Sequence, residues 1–430
     1  MPTRYHTAYA RYLAHRSNAG YVPPPEPRYT MLVVNHYFDQ DIAWLRRAAS
    51  DVAVYDIPYI AFADAANSVL PPEAERFPAY YAPELAEGRS RYAAFASEMF
   101  KRLVQQLHVD VVVATSDLFW WDREFEPALQ DLGVPFFVIE KEGLMTPFFY
   151  EQYSREFREH APPIADHHLV WSERQAYFWV LAGQEERRIS VVGQPRSDFW
   201  SHPEEWPRRE DLGLPLRERS PLVVFFSYEN WFYLAWEMYE RGEFTWEPLR
   251  EATNRALIDL AEQRPDVDIV IKLHPQQNDS GLEGLGLPPN VHVVGGSTLG
   301  NALLLNADVL VLFQSTATVE SMFRACPIVY PFFGESVEQH VDLMLPFHLN
   351  DIVTVARSPA EIGAGLAAAL ETSEVSPDTV ARRREFLEEY FYRPNGEASR
   401  RTLERIGELI DRPLTPATTP LPAASESRSG

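Results

Sequence analysis

The chain is poor in cysteine, since Cys326 is the only one among its 430 residues. A disulfide framework and a cysteine-based zinc site each need several cysteines, so neither is expected, and no other metal site is predicted. No apolar run reaches the ~18 residues of a transmembrane helix. The N-terminus lacks the apolar core of a signal peptide. These absences predict a cytoplasmic protein with at most peripheral contact at the inner face of the membrane.

Lysine is also scarce, since arginine supplies 36 of the 39 cationic side chains. The net charge is −23, and the lysines are only Lys101, Lys141 and Lys272. A protein that binds nucleic acid carries a basic footprint that neutralises phosphates, so no nucleic-acid partner is expected. An anionic ligand must instead be met by a locally basic pocket. Lys141 and Lys272 follow predicted strands, where a compact ammonium is a good phosphate partner.

The hydrophobic fraction of 46% is enough for two domain cores. Short β-branched runs alternate with helical patterns in both halves, which predicts parallel βαβ units and an α/β fold. The predicted organisation is an N-terminal helix and linker at 1–29, a first domain at 30–200, a linker at 201–221, a second domain at 222–385, a C-terminal helix that crosses back to the first domain at 386–411, and a disordered tail at 412–430.

A predicted buried strand at 268–271 leads into Lys272-Leu273-His274-Pro275. Lys272 and His274 are two residues apart, so both side chains leave an extended backbone on the same side. Pro275 has no N–H to donate and begins a loop. Ligands of open α/β sheets bind beyond the carboxyl ends of the strands, where a cation and an imidazole suit a phosphate. The alternative is a strand end with a structural histidine.

A hydroxyl-rich motif, Gln314-Ser315-Thr316, follows a predicted strand at 309–313 and precedes a helix. The N–H groups and the positive dipole end at a helix start make an anion site. Glu320 lies about one turn further on, where it is placed to accept a hydrogen bond from a ribose hydroxyl. The alternative is an ordinary Ser/Thr helix cap.

A charged motif, Glu140-Lys141-Glu142-Gly143, ends a predicted strand at 134–139. Apolar surroundings and a neighbouring carboxylate would raise the pKa of such an acid and make it a better general base. Gly143 permits a tight turn and close approach of a ligand. The alternative is a solvated charged loop.

Other segments are weaker candidates for a site. His36 follows the first predicted strand and faces the expected ligand crevice. Asp39-Gln40-Asp41 is a pattern that can bind a metal, but these acids are predicted to cap a helix beginning near Ile42. Arg196 lies in a turn, available for a phosphate or for holding the domain junction. The aromatic segment 228–246 predicts core or interdomain lining rather than a stacking surface.

These motifs together resemble those of GT-B-type bacterial surface-polysaccharide transferases, the group that includes CDP-glycerol glycerophosphotransferases, capsule Kdo transferases and bacterial sialyltransferases. The resemblance covers about residues 30–410. Besides the motifs above, it rests on Gly193-Gln194-Pro195-Arg196-Ser197-Asp198 and Asn395-Gly396-Glu397-Ala398-Ser399. It implies a GT-B fold with two doubly wound Rossmann-like domains facing each other across a cleft.

The resemblance also implies roles. Glu142 would be the general base on the acceptor hydroxyl, and His274 would stabilise or protonate the departing phosphate. Ser315 and Thr316 would bind the donor phosphate and Glu320 the ribose. From their positions in the sequence, Lys272 and Arg196 are predicted to bind the donor as well, and the further cleft candidates are Lys141, Gly143 and His36. No cofactor or metal is implied.

The implied reaction moves a sugar from a nucleotide-activated donor to a saccharide or glycolipid acceptor. Lys141 departs from the motif of the group, in which a second acid is usual, and a pairing of Lys141 with Glu142 would weaken the base. The alternatives are a polyol-phosphate transferase, a non-hydrolysing nucleotide-sugar 2-epimerase, and a non-catalytic binding protein with the same fold.

Overall fold

The computed structural model describes residues 3–75, 79–230, 245–275, 277, 279–295, 300–372 and 375–411. The chain forms two compact units. The first unit comprises Met1–Met145, Phe149–Ser201 and Glu389–Gly430, and the second comprises Thr146–Phe148 and His202–Glu388. The predicted tail at 412–430 and residues 231–244 of the aromatic segment lie outside the described residues.

Each unit contains a six-stranded parallel sheet. The strands of the first unit are β1 (Tyr29–Asn35), β2 (Val52–Pro58), β3 (Val111–Ala114), β4 (Phe136–Ile139), β5 (His167–Val170) and β6 (Ile189–Val191). Those of the second are β7 (Leu222–Phe226), β8 (Asp268–Lys272), β9 (Val291–Val294), β10 (Val309–Val311), β11 (Ile328–Pro331) and β12 (Thr354–Ala356).

The order of the strands reverses once in each sheet. The first sheet has the order β2-β1-β3-β4-β5-β6, and the second has β12-β11-β10-β7-β8-β9. The second is the Rossmann order, and the first is a flavodoxin-like order with one added strand. The reversal lies between β1 and β3 in the first unit and between β7 and β10 in the second. Such switch points are where open α/β sheets bind ligands.

Helices connect the strands, as parallel pairing requires. They are α1 (Thr3–Ser17), α2 (Asp39–Ala48), α3 (Ile60–Asn67), α4 (Ala86–Leu107), α5 (Phe125–Gln130), α6 (Ser154–His160), α7 (Glu173–Leu181), α8 (Glu247–Gln263), α9 (Gly300–Asn306), α10 (Thr316–Ser321), α11 (Glu335–Gln339), α12 (Pro359–Thr372), α13 (Pro377–Phe391) and α14 (Ala398–Ile410). Within the described ranges, every helix is too short or too polar to span a bilayer.

Both faces of the first sheet are buried because successive strand residues point to opposite sides. In β1, Leu32 packs in one cluster with Phe100 of α4. Val33 packs in the opposite cluster with Leu45 of α2 and Ile406 of α14. Apolar residues therefore fill most of the two faces of the sheet.

The N-terminal segment protects the outer edge of β2. The Val54 N–H donates to the Tyr21 hydroxyl at 2.9 Å. The Asn18 side chain accepts from the Asp56 N–H at 3.0 Å and donates to the Asp56 carbonyl at 2.8 Å. An edge strand with unpaired backbone groups is a template for aggregation, and these bonds cover it. Residues before β1 are thus part of the first unit.

Some element boundaries differ from those predicted. The helix expected near Ile42 begins at Asp39, so the two acids lie in its first turn. The long helix predicted from residue 377 is interrupted as expected: α13 ends at Phe391 and α14 begins at Ala398. The interruption contains three residues with positive φ values, Tyr392, Arg393 and Gly396. Backbone of this kind ends a helix, so α13 stops here and α14 begins after it.

The turn at 193–198 secures α14 to the first unit. The Asp198 carboxylate accepts hydrogen bonds from the backbone N–H groups of Ala398 and Ser399, each at 2.8 Å. Both donors lie in the first turn of α14, where N–H groups lack partners within the helix. Two motifs that are far apart in sequence therefore meet as a helix cap.

We expect Asp198→Ala to lower the free energy of unfolding of the first unit by about 1–2 kcal/mol, the usual cost of losing a cap. Asp198→Asn keeps one acceptor oxygen and should cost less. Urea unfolding of the two variants and of the wild-type protein measures the difference. Equal midpoints and slopes for Asp198→Ala and wild type would contradict this role.

Candidate functional site

The residues at the first switch point form an aromatic cluster, defined as His36, Tyr37, Tyr59, Phe119 and Trp121. The His36 ring lies 4.1 Å from Tyr59, 4.6 Å from Phe119 and 5.7 Å from Trp121 between centroids. Phe119 and Trp121 stack at 4.6 Å with an interplanar angle of 8°. His36 and Tyr37 directly follow β1, Tyr59 directly follows β2, and Phe119 and Trp121 lie in the segment after β3, so strand order brings them together.

His36 is half-buried in this cluster. Burial, followed by the positive charge of Lys141, lowers the pKa of His36 to about 4. Its imidazole is therefore neutral near pH 7, with one ring nitrogen able to accept a proton or a hydrogen bond. The position predicted for His36, at a strand end next to the switch point, is the position observed.

Tyr37 is the exposed member of the cluster. Its side chain is 63% accessible, and its φ of 56° is in the left-handed region, which is uncommon for a bulky residue. The Lys141 ammonium lies 5.0 Å from the centre of the Tyr37 ring, a cation–π contact. Strained backbone persists where surrounding contacts hold it and is common at ligand sites.

The two acids of the charged motif have different surroundings. Glu140 is 5% exposed, and its pKa is raised well above the usual value, first by burial and then by the charges of Asp117 and Glu142. The Glu142 side chain is 76% exposed, and its Oε1 lies 4.0 Å from the Lys141 ammonium. The apolar surroundings predicted for a base at Glu142 are therefore found at Glu140. The pairing of Glu142 with Lys141 is present.

Glu140 lies near a buried contact between Asp117 and His168. The Asp117 carboxylate is 3.4 Å from His168 Nε2 and accepts from the backbone N–H groups of Ile164 and Ala165. Burial acts to raise the pKa of Asp117, but His168 and these other partners outweigh it and lower the pKa to about 2. The two acids below the charged motif are thus shifted in opposite directions: the pKa of Asp117 is lowered and that of Glu140 is raised.

Gly143 is required by packing. A Cβ at this position would lie 2.5 Å from a ring atom of Trp171 and 2.8 Å from Gln175 Oε1. The Trp171 indole N–H donates to the Glu140 carbonyl at 2.7 Å, which holds the ring against the motif. Gly143 therefore permits the close approach of the Trp171 ring to the charged motif.

Arg196 belongs to the first unit and has protein partners. Its N–H and guanidinium bind the Asp41 carboxylate at 3.0 and 3.4 Å, and its guanidinium lies 5.4 Å from the Trp171 ring centre. It also donates to the Lys141 carbonyl at 3.4 Å. These contacts favour the structural alternative for Arg196 over donor binding, which stays a prediction.

The second unit presents a buried cation at its ligand edge. Lys272 ends β8, beside the switch-point strand β7, and is 6% exposed. Its ammonium donates to the Leu273 carbonyl at 3.2 Å. Among the described residues, no carboxylate lies within ion-pair distance of it. Burial accordingly lowers the pKa of Lys272.

His274 lies in the loop after Lys272. Its backbone N–H donates to Gln277 Oε1 at 3.0 Å, and Gln277 Nε2 donates to the Ser227 hydroxyl at the end of β7, also at 3.0 Å. The loop is thus fixed to the neighbouring strand. His274 is partly accessible, so its imidazole is not sealed within the core.

Ser315 is the N-cap of α10, since its hydroxyl accepts from the Ala317 N–H at 3.2 Å. Thr316 starts the helix and Glu320 lies one turn on, both partly accessible. Because β7 lies between β8 and β10, Lys272 and Ser315 leave the sheet two strand spacings apart, roughly 10 Å. The helix cap predicted at Ser315 is therefore confirmed. The binding of an anion at this helix start stays a prediction.

His36 was predicted as a site residue from the sequence, but the aromatic cluster around it was not. The signal was present: aromatic residues follow each of the first three strands, at Tyr37, Tyr59 and Phe119–Trp121. Recognising the cluster also required the knowledge that β1 lies between β2 and β3, which sequence pattern does not provide.

Comparisons with known proteins identify the fold. No protein-family model and no curated protein matches the chain. The UDP-GlcNAc 2-epimerase from Neisseria meningitidis, solved with UDP-GlcNAc, is 12% identical over 88% of this chain and 99% of its own, with a TM-score of 0.51. The S. aureus MnaA–UDP structure is 12% identical over 89% and 96%, with a TM-score of 0.52. The UDP-GlcNAc 2-epimerase from Methanocaldococcus jannaschii is 11% identical over 88% and 99%, also with a TM-score of 0.52.

Identities this low establish architecture alone. The chain has the GT-B fold, with two Rossmann-like domains, each built on a parallel six-stranded sheet. This confirms the predicted α/β class with two doubly wound domains.

The surroundings of His36 predict its titration. In an NMR pH titration, we expect its imidazole to change protonation near pH 4. Lys141→Met should raise that pKa, although burial will keep it below 6.5. Since the unfolded state binds the proton more readily, stability should fall as the pH falls from 6.5 towards 4.

Lys101→Met is the matched control, because Lys101 is exposed on α4 and has no ion pair in the described part of the chain. A His36 that titrates near 6.5, or that responds equally to both substitutions, would show that the cluster does not set its protonation.

Proposed function

We propose that the protein is a glycosyltransferase that moves a sugar from a nucleotide-activated donor to a saccharide or glycolipid acceptor. The second unit would hold the donor and the first unit the acceptor. The support comes from the GT-B fold, from the chemistry at the ligand edge of each sheet, and from the motifs shared with bacterial surface-polysaccharide transferases.

Lys272 is the observation that carries the proposal. A buried ammonium without a carboxylate partner is costly for the folded protein. Lys272 lies at the carboxyl end of a Rossmann sheet, where ligands of this architecture bind. A diphosphate would supply the missing negative charge and charge-assisted hydrogen bonds. The site is thus suited to a nucleotide-activated donor.

The neighbouring residues would complete donor binding. His274 would donate a hydrogen bond to the departing phosphate or protonate it, which stabilises the charge that develops in the transition state. Ser315 and Thr316 would contribute hydroxyl and backbone donors. Glu320, one turn into α10, would accept from a ribose hydroxyl. The fixed loop after β8 would hold His274 in place without a metal ion in this role.

The aromatic cluster would bind the acceptor. Exposed aromatic faces pack well against sugar rings, and the partly accessible rim of Tyr37 and Lys141 offers both apolar and polar contacts. Glu142, exposed beside this rim, would accept the proton of the attacking hydroxyl. Neutral His36 would orient that hydroxyl by a hydrogen bond.

A non-hydrolysing nucleotide-sugar 2-epimerase is the second candidate, because several solved structures with this fold are named as UDP-GlcNAc 2-epimerases. An epimerase converts the donor without an acceptor, whereas a transferase requires one. Incubation with the donor alone, followed by NMR of the sugar, separates them. Inversion at C2 without an acceptor would replace the transferase proposal. Transfer of a polyol phosphate would instead appear as release of CMP from CDP-glycerol.

The donor site is tested by thermal shift with CMP, CDP, UDP, GDP and their sugars. One of them should stabilise the wild-type protein by about 2.7 kcal/mol at a hundredfold excess over its dissociation constant. Lys272→Met should weaken that ligand roughly 10- to 100-fold, as expected for a lost charged hydrogen bond. Lys101→Met should leave the affinity unchanged. Equal affinity of Lys272→Met and wild type would refute the donor site.

The base is tested with Glu142→Gln, which removes the proton acceptor but preserves shape. We expect kcat to fall about 10²- to 10⁴-fold, while the affinity for the donor is retained. Glu159→Gln, an exposed residue of α6, is the matched control. If Glu142→Gln is fully active and His36→Gln is not, the base is His36. If both are fully active, a transferase with either residue as base is ruled out.

A further inference from the structure

The outward face of α1 is basic and aromatic. Ala10, Leu13 and Ala14 are buried against the first unit. The opposite face exposes Arg11, Tyr12, His15 and Arg16, and α1 contains no acidic residue. In a chain with a net charge of −23, this face is a local exception.

An apolar groove lies beside this face. It has a volume of about 680 Å³, within the usual range for ligand pockets. We call it the α1 groove. Its lining comes from α1, α3 and α4 and consists of His6, Tyr9, Ala61, Asp64, Ala65, Ser68, Val69, Arg91, Tyr92, Ala94 and Phe95.

Tyr9 joins the groove to the basic face. It lines the groove and is 38% exposed, and Tyr12, one turn on, is 51% exposed. Tyrosines of this kind are enriched where proteins meet the interface of a bilayer, because the ring is apolar and the hydroxyl is polar. The groove and the face therefore form one continuous surface.

Two polar groups at the groove indicate what it would bind. His6 Nδ1 is buried and has no hydrogen-bond partner in the described structure, although the His6 ring packs edge-on against Phe95 at 5.6 Å. A buried polar atom of this kind calls for a partner. Arg91 is exposed at the rim, with no ion pair in the described part of the chain. An ester oxygen would be a suitable hydrogen-bond partner for His6, and a phosphate would be a suitable ion-pair partner for Arg91.

We propose that this surface binds an anionic phospholipid of a membrane. One acyl chain would enter the α1 groove, an ester oxygen would accept from His6, and the head group would meet Arg91. Arg11 and Arg16 would contact neighbouring head groups. The remainder of the protein is acidic and would be repelled, so binding depends on this surface.

The proposal does not depend on the proposed transferase activity, and it is tested by binding alone. The probes are vesicles of phosphatidylcholine and vesicles that also contain phosphatidylglycerol, in a flotation assay at low and at high salt. The protein should bind the anionic vesicles and be released by salt. The double variant Arg11→Glu/Arg16→Glu should bind at least about 20-fold more weakly, since each cation near the surface contributes about fivefold.

The groove is tested separately with Ala65→Phe, which fills it from α3. This variant should lose binding both to anionic vesicles and to monomeric short-chain phosphatidylglycerol. The matched controls are Arg255→Glu on α8 and Ala367→Phe on α12, both exposed in the second unit. Circular dichroism checks that each variant is folded.

Three outcomes would overturn the proposal. One is equal binding to both kinds of vesicle at low salt. Another is loss of binding by the control Arg255→Glu to the same degree as by the double variant. The third is a combination of two results: heparin displaces the vesicles, and Ala65→Phe binds anionic vesicles as tightly as the wild-type protein does. That combination would show a surface for soluble polyanions.

Discussion

Parallel pairing is the constraint on which both units depend. Because every strand of a sheet runs in the same direction, all carboxyl ends lie at one edge, and both faces are covered by helices. Apolar residues fill the faces, so the polar side chains that can meet a ligand are those directly after strands. His36, Tyr59 and Lys141 follow β1, β2 and β4, Lys272 is the last residue of β8, and Ser315 follows β10.

Buried cations in this protein differ in the groups that accept their hydrogen bonds. Arg250 is fully buried and binds the Asp279 carboxylate at 2.8 Å and two backbone carbonyls. Arg383 donates to the carbonyls of Ile352, Arg324 and Cys326. These arginines are structural because the fold itself supplies their acceptors. Lys272 has one carbonyl acceptor among the described residues and lies at the ligand edge of its sheet, which is the arrangement expected of a cation that a ligand completes.

Sequence pattern located most of the regular structure because periodicity and turn residues are local. The interruption between α13 and α14 is an example, since Pro394-Asn395-Gly396 cannot continue a helix. The order of the strands is set by tertiary packing and was not predicted. For the same reason the aromatic cluster was missed: its members share an edge only because β1 lies between β2 and β3.

The charged motif shows that sequence pattern also fails to predict the burial of single residues. Glu140 and Glu142 are two residues apart and chemically identical, so sequence cannot say which is buried. Strand β4 ends at Ile139, and the backbone beyond it directs Glu140 into the core beside Asp117, while Glu142 points to solvent near Lys141. The contact of Arg196 with Asp41 was likewise not predicted, because the two residues lie far apart in sequence.

Lys141, the departure from the motif of the resembling transferases, connects the features of the first unit. Its charge helps to lower the pKa of His36, it lies over Tyr37, and it pairs with Glu142. A second acid in its place would instead raise the pKa of His36 and repel Glu142. Burial and, after it, the lysine together keep the imidazole neutral near pH 7 in its aromatic surroundings. Lys141 leaves the histidine and the carboxylate both able to accept a proton at the same edge.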